Sequence, residues 1–133
     1  MSISIFDDIE INKGFAYRDL LGQDKWESFT VTFTSLSIVG TPTYVGRWRR
    51  VGRSIEFQVS ALASTSIAST AGTSYFTLPI TAKGIGGVAT MTNDTTNIAV
   101  GVCHIDVANS RCYVPSQVAS GNTFNVSGWY EIG

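Results

Sequence analysis

Charged side chains are scarce in this chain of 133 residues: they make up 14% of it, against about a quarter in an ordinary soluble protein. Nine basic and ten acidic residues leave a net charge of −1, so the basic footprint that nucleic-acid binding requires is missing. No run of 18 apolar residues occurs, and the sequence therefore predicts no membrane span. Serine, threonine, asparagine and glycine are left to cover the surface, which is typical of β-proteins that contact other proteins or sugars.

Histidine and cysteine are also rare. His104, Cys103 and Cys112 are the only residues of these two types, too few for four ligands at zinc spacing. Two interpretations of the cysteines are open. They are two small buried or half-buried thiols, as expected in a chain without a secretion signal. Alternatively, if Asp106–Asn109 forms a four-residue hairpin loop, the two cysteines face each other directly and form a disulfide.

The residues that catalysis would use have few partners. Asp106 lies two residues from His104 on the same face of a strand, and we prefer a histidine satisfied by its neighbour to a member of a Ser-His-Asp triad. Glu56 and Glu131 lie in regular strands, but nothing in the sequence brings them together as paired carboxylates. No phosphate-binding loop, dinucleotide fingerprint or nucleophile elbow occurs. We therefore predict a protein that is not an enzyme, with no catalytic residues, no metal and no cofactor.

Residues 1–27 differ in composition from the rest and contain six of the ten acidic residues. They lack the basic n-region and long apolar core of a signal peptide, so we expect synthesis and retention in the cytosol. The segment is too rich in large apolar residues for a solvated tail and too irregular for a domain. We predict an extended arm that attaches the protein to a partner. Its predicted contact residues are Ile3, Ile5, Phe6, Ile9, Ile11 and Phe15.

From residue 28 onward, alternating apolar and polar residues predict strands. The clearest case is a hairpin joined at Val51–Arg53, whose second strand alternates without a break. The predicted strands are 28–38 with a bulge near Thr34–Ser35, 44–51, 54–63, 74–80, 88–92, 98–106, 111–114 and 122–132, with a loop at 63–72. About eight strands with little helix predict an all-β domain over residues 28–133, an antiparallel β-sandwich that is jelly-roll-like.

Four of the nine basic residues cluster in this hairpin: Arg47, Arg49, Arg50 and Arg53. On a strand, Arg47 and Arg49 share one face, while Trp48 and Arg50 share the other. Three interpretations are open. The cluster captures an anionic sugar or an acidic partner surface, pairs with the acidic arm of a neighbouring subunit, or forms a solvated edge whose charge prevents unwanted strand addition.

Trp26, Trp48 and Trp129 are candidates for a sugar-stacking platform. Trp129 alternates with the apolar residues of the last strand, so it faces away from Phe124 and Tyr130. It is either exposed or buried against another subunit, and we prefer the interface because such aromatic residues are enriched there. The residues predicted for subunit or ligand contact are Arg47, Trp48, Arg49, Arg50 and Trp129.

Three segments resemble a pattern that recurs in phage virion proteins. Gly46–Val59, Gly-Arg-Trp-Arg-Arg-Val-Gly-Arg-Ser-Ile-Glu-Phe-Gln-Val, is similar to that family's aromatic and arginines followed by Val-Gly and a strand. Tyr75–Ile80 resembles its aromatic-x-Leu-Pro strand. Val126–Ile132 resembles its Gly-aromatic-Tyr-Glu terminus. The three segments come in the family's order and extend over most of the chain.

The resemblance is to the β-sandwich domains of tail-fibre tips and of head-decoration (cement) proteins. It implies a non-enzymatic homotrimer that is part of the virion and assembles in the bacterial cytoplasm. A short arm on a compact trimer suits a decoration protein that attaches to other virion proteins, the major capsid protein or a tail protein. The alternative is a tail-fibre or tailspike tip that binds a host surface glycan through loops such as 63–72 and 84–87.

Overall fold

The computed structural model describes residues 25–118 and 122–133, and in these ranges the chain is all-β, without a helix. The predicted antiparallel β-sandwich is confirmed, although the strands are shorter and more numerous than expected. The predicted arm lies almost wholly outside the described residues. The strands are β1 Glu27–Phe29, β2 Phe33–Thr34, β3 Ser37–Val39, β4 Thr43–Val51, β5 Ser54–Leu62, β6 Ser66–Ala68, β7 Tyr75–Thr77, β8 Gly87–Asn93, β9 Ile98–Asp106, β10 Arg111–Tyr113 and β11 Phe124–Glu131.

Nine strands form one continuous antiparallel sheet in the order β1-β4-β5-β11-β8-β9-β10-β7-β2, and β3 pairs with β6 in a small ribbon. The long sheet curls because β9 changes partner along its length. Its first part pairs with β8 as far as Cys103, and its last three residues pair with β10. The front layer therefore consists of β1, β4, β5, β11 and β8, and the back layer consists of β10, β7 and β2.

Aromatic rings fill the space between the two layers. Phe57 of the front layer meets Phe76 of the back layer edge-on, with ring centroids 5.8 Å apart. Phe33 of β2 lies 5.3 Å from Phe76 and 5.7 Å from Phe124 of β11. Burying one such side chain stabilises the fold by about 1.5–3 kcal/mol. The buried hydrophobic core is Val31, Ile55, Phe57, Val59, Ala61, Ile67, Phe76, Leu78, Ala82, Ala89, Met91, Cys103, Ile105, Cys112, Val114, Phe124, Val126 and Tyr130.

The β4–β5 hairpin is confirmed, with nine residue pairs in register from Thr43 opposite Leu62 to Val51 opposite Ser54. Its two-residue turn begins at Gly52, whose φ of +63° suits the first central position of a type II′ turn. The alternation of β5 buries one face completely and leaves the other accessible. This hairpin is the centre of the front layer and presents an outward-facing surface, which we call the outer face.

The predicted single strand over 28–38 is wrong in detail. The segment contains three short strands with different partners: β1 pairs with β4, β2 with β7, and β3 with β6. The chain thus leaves the front layer, crosses to the back layer and then joins the ribbon. Ser35, at the predicted bulge, has a φ of +64°, which turns the backbone out of the extended region and ends β2.

The predicted loop at 63–72 is wrong in part, because it contains β6. Ile67 of this strand is fully buried, which explains why a segment composed mainly of small polar residues is held in the fold. Beyond β6, the backbone N–H of Ser69 donates to the carbonyl of Gln117 at 3.0 Å, and the N–H of Gln117 donates back at 3.1 Å.

Tyr130 anchors the last strand from inside the core. Its hydroxyl donates to the carbonyl oxygen of Ile80 at 2.8 Å and accepts from the backbone N–H of Ile80 at 3.0 Å. Burial raises the pKa of Tyr130 to about 12, so the phenol stays protonated and keeps both bonds at neutral pH. The anchor holds β11 in place and thereby positions Trp129, the preceding residue, on the outer face.

Candidate functional site

The outer face brings polar residues from three adjacent strands into two rows. In one row, Arg49 of β4 lies opposite Glu56 of β5, which lies opposite Trp129 of β11. In the other row, Arg47 is followed in the same way by Gln58 and Ser127. Paired residues of an antiparallel sheet point to the same side, so the side chains of each row are neighbours.

Both arginines are held by the residue across from them. The Arg49 Nε donates to Glu56 Oε1 at 2.8 Å, an ion pair whose side chains are 30% and 40% exposed. The Arg47 Nε and Nη2 donate to Gln58 Oε1 at 2.8 and 2.6 Å. Each contact is accessible to water and stabilises the fold by less than about 1 kcal/mol. The contacts also hold both long arginine side chains in one orientation.

Trp26, immediately before β1, lies against the two guanidinium groups. The Arg47 and Arg49 guanidinium carbons are 4.5 and 4.7 Å from the centre of its ring. The pairing of β1 with β4 places Trp26 there, since Ser28 lies opposite Arg47. Cation–π contacts at accessible sites stabilise by about 0.5–1 kcal/mol each. They also fix the indole at one side of the outer face.

A groove of about 300 Å³ runs across the outer face between Trp26 and Trp129, and we call it the Trp26–Trp129 groove. Two intervening strands, β4 and β5, separate its two ends, which corresponds to about 14 Å at the usual strand spacing. The ring of Trp129 is 42% exposed. The lining residues are Trp26, Arg49, Glu56, Phe57, Gln58, Ser127, Gly128 and Trp129.

A second depression of about 280 Å³ continues the groove along β5 and β11. Gln58 and Ser127 line both depressions, and Ser60 and Asn125 extend the polar lining, with the Ser60 hydroxyl bonded to the Asn125 amide oxygen. The Asn125 amide nitrogen donates to the Asp94 carboxylate. The outer face therefore offers a continuous series of oriented donors and acceptors next to two indole rings.

The predicted contact residues divide between the two faces of the sheet. Arg47, Arg49 and Trp129 lie together on the outer face, as their alternation predicts. Trp48 lies on the opposite side, half-buried against the core. The Nε of Arg50 donates at 2.8 Å to the carbonyl of Gly52 in the turn. The arm residues Ile3, Ile5, Phe6, Ile9, Ile11 and Phe15 lie outside the described residues.

Three polar residues that line the groove were not predicted as contacts. The alternation of β5 already directed Gln58 and Glu56 outward, so the direction of these side chains was available in the sequence. Ser127 has the same signal in β11, two residues before Trp129. What the sequence did not supply is the pairing of β11 with β5, which places these side chains beside one another.

The carboxylates that the sequence offers as candidate catalytic groups are bonded to neighbouring residues. Asp106 accepts hydrogen bonds from the Asn109 amide nitrogen at 3.0 Å and from its backbone N–H at 3.3 Å, and chiefly the side-chain bond lowers the pKa of Asp106. Glu131 accepts from the backbone N–H of Ile85 at 3.0 Å, while Glu56 holds Arg49. Each carboxylate thus has a structural partner of its own.

The cysteines are two free, buried thiols, so the first interpretation is confirmed and the disulfide is wrong. The loop spans 107–110 instead of Asp106–Asn109, because Asp106 itself pairs with Arg111. Cys112 therefore faces Ile105 and lies diagonal to Cys103. A hydrogen bond with Cys103, together with burial, raises the pKa of Cys112 well above its ordinary value, which keeps this thiol protonated and unreactive. Over residues 25–118 and 122–133, no group of three or more His, Cys, Asp and Glu side chains is placed to hold a metal ion.

A further depression, of about 340 Å³, lies beside β9 and β10 and contains His104 and Tyr113. Their ring centroids are 6.3 Å apart, and Tyr113 also packs on Tyr75 at 5.1 Å. Apart from these two rings, its lining is Ala71, Gly72, Val102, Val114 and Pro115. It has few polar side chains to orient a ligand, so the Trp26–Trp129 groove is the better candidate.

Comparison of the chain with protein-family models, with curated proteins and with solved structures gave no significant match. The resemblance to phage virion domains therefore rests on the three sequence segments. In the part of the chain that the structure describes, no helix is long and apolar enough to cross a membrane.

Proposed function

We propose that this protein is a non-enzymatic phage virion protein whose β-sandwich binds a host surface glycan through the Trp26–Trp129 groove. The observation that supports the proposal is the combination of two indole rings with paired polar side chains on one accessible sheet face. Sugars present apolar C–H faces and a ring of hydroxyls, and they need both kinds of partner. The resemblance to tail-fibre tips supports the virion location.

The groove suits a sugar because its polar groups are already oriented. The Arg49–Glu56 pair offers guanidinium donors beside carboxylate acceptors, and Gln58 adds an amide. The exposed indole of Trp129 is available to pack on a sugar ring. Since cross-strand contacts fix these side chains before a ligand arrives, binding loses little further side-chain entropy.

Trp129→Ala is expected to weaken glycan binding by about thirtyfold, because removal of a tryptophan that packs on the ligand costs about 2 kcal/mol or more. Binding to a glycan array and adsorption to host cells would measure the loss, with circular dichroism to verify the fold. Val102→Ala is the matched control, since Val102 is 68% exposed but does not line the groove. Unchanged adsorption by Trp129→Ala would contradict the proposal.

Capsid decoration through the arm is the second candidate function, and the distribution of charge favours it. Residues 1–27, the predicted arm, contain six acidic and three basic side chains, whereas residues 28–133 contain four acidic and six basic. Trp26, near the end of the arm, lies directly beside Arg47 and Arg49. Opposite charges favour contact between the arm of one subunit and the arginine strand of a neighbour. In a homotrimer, three arms would then bind the virion together and raise the avidity.

Deletion of residues 1–16 tests this candidate. The truncated protein is expected to lose attachment to virus particles in a co-sedimentation assay, because it lacks the arm's apolar contacts. Its β-sandwich and its glycan binding are expected to remain, since the described strands and the residues that line the groove all come after residue 24. If the truncated protein still decorated particles, attachment would have to come from another part of the chain.

A further inference from the structure

We infer that the Trp26–Trp129 groove selects saccharides that carry an anionic group, a carboxylate or a phosphate, over neutral saccharides. The inference rests on the glycan binding proposed above and names the class of glycan. It depends on three features at the Trp26 end of the groove: two arginines beside one carboxylate, the partners of each arginine, and the orientation of the guanidinium groups.

The arginines beside the groove exceed the carboxylates that neutralise them. Arg49 is paired with Glu56, the one ion pair between described residues. Arg47 is exposed, and its partner is the amide oxygen of Gln58, which carries no charge. Two guanidinium groups therefore lie within 5 Å of the Trp26 ring centre, and a single carboxylate, that of Glu56, pairs with one of them.

Other charged residues near the groove have separate positions or partners. Arg50 shares the strand face of Trp48, away from Arg47 and Arg49, and donates to a backbone carbonyl of the turn. Glu131, two residues after Trp129, accepts from the backbone N–H of Ile85, and Asp94 accepts from Asn125 in the second depression. Glu27 belongs to β1, the strand next to the arginines. It lies opposite Trp48 in the register, so its side chain is directed to the side away from Arg47 and Arg49. At the Trp26 end of the groove, the charge of Arg47 is thus not paired with a carboxylate of the described residues.

The geometry of the two arginines favours an anionic ligand. A guanidinium group presents a planar fork of N–H donors that matches a carboxylate or a phosphate, and here two forks are held against Trp26 before any ligand binds. A sugar ring packed on Trp129 would direct its anionic group across β5 toward Arg49 and Arg47. Glu56 accepts hydroxyl hydrogens but repels an anion, which gives the sugar one preferred orientation.

The experiment uses the full chain and compares ligands that share a sugar backbone and differ in whether they carry an anionic group. Oligomers of galacturonic acid, the methyl esters of the same oligomers, and mannose 6-phosphate beside mannose would be titrated by calorimetry. The acid form is expected to bind about tenfold more tightly than its ester, because one charge-assisted hydrogen bond raises the affinity by about that factor. Arg47→Gln is expected to reduce that preference about three- to tenfold. Arg53→Gln, which removes the same charge at the turn, is expected to leave it unchanged.

The outcomes separate this inference from the function on which it rests. Equal affinity for acid and ester forms would overturn the anionic preference and leave glycan binding standing. If Arg47→Gln and Arg53→Gln reduced the preference for the acid form equally, the inference would also be overturned. The overall electrostatic field of the domain would then explain the preference. Preference for the carboxylate or for the phosphate would support the inference and identify the group. No binding to any saccharide, charged or neutral, would overturn both proposals.

Discussion

Phe76→Ala is expected to lower the free energy of unfolding by about 3–5 kcal/mol, as truncation of a buried phenylalanine does. Phe76 is fully buried in β7, at the middle of the back layer. Its ring meets Phe33 and Phe57 edge-on at 5.3 and 5.8 Å, so both contacts are lost together with the buried apolar area. Because Phe57 belongs to the front layer, the substitution removes a contact that holds the two layers together. Urea unfolding followed by tryptophan fluorescence would measure the change.

Thr77→Ala is the control for this experiment. Thr77 is the next residue of the same strand and is exposed, so its truncation is expected to change the free energy of unfolding by less than about 0.5 kcal/mol. A loss of less than 1 kcal/mol for Phe76→Ala would contradict the packing of the two layers against each other. A loss in the expected range would support the closure of the curled sheet into a sandwich.

Gly128→Ala is expected to have the second largest effect, and it connects stability to the groove. A Cβ at Gly128 would overlap the backbone of β8, where it would come within 2.5 Å of the Ala89 Cα. Gly87 on the facing strand is similarly crowded, with the Tyr130 Cα 2.6 Å from the position of a Cβ. Backbone atoms cannot rotate away as a side chain can, so β11 and β8 would have to separate. We expect a loss of about 1–3 kcal/mol.

The same substitution is expected to weaken glycan binding, because Gly128 lines the groove next to Trp129. Thermal unfolding and a glycan titration on the same preparation would measure both effects. Ser127→Ala is the matched control for stability: it lies on the same strand, is exposed, and has space for its side chain. Wild-type stability of Gly128→Ala would show that the two strands are not held as close together as the structure has them.

Local alternation explains why much of the fold could be predicted. β5 and β11 each have an unbroken two-residue period, and the direction of a side chain in such a strand depends on its own position only. The outward orientation of Arg47, Arg49 and Trp129 follows from the same rule. The hairpin between β4 and β5 was predictable because glycine at the turn and apolar residues on one face act over a few residues.

In the segment from 27 to 39, alternation does not determine which strand each part of the chain pairs with. Phe29 and Phe33 are in phase and suggest a single strand, yet the first pairs with Gly46 in the front layer and the second with Phe76 in the back layer. A buried phenylalanine is equally favourable in either layer, so its apolar character does not select one. The choice depends on which strand edge is open, and that depends on the whole curled sheet.

By its own pattern, the sequence determined the longer strands, the turn at Gly52, the outward direction of Arg47, Arg49 and Trp129, and an excess of acidic residues before residue 28. The tertiary structure decided which strands are neighbours, and therefore that Trp26, Arg49, Glu56 and Trp129 line one groove. The reason is that alternation along a strand is a property of adjacent residues. The pairing of β5 with β11 instead joins residues about 70 positions apart, which only the closed core holds together.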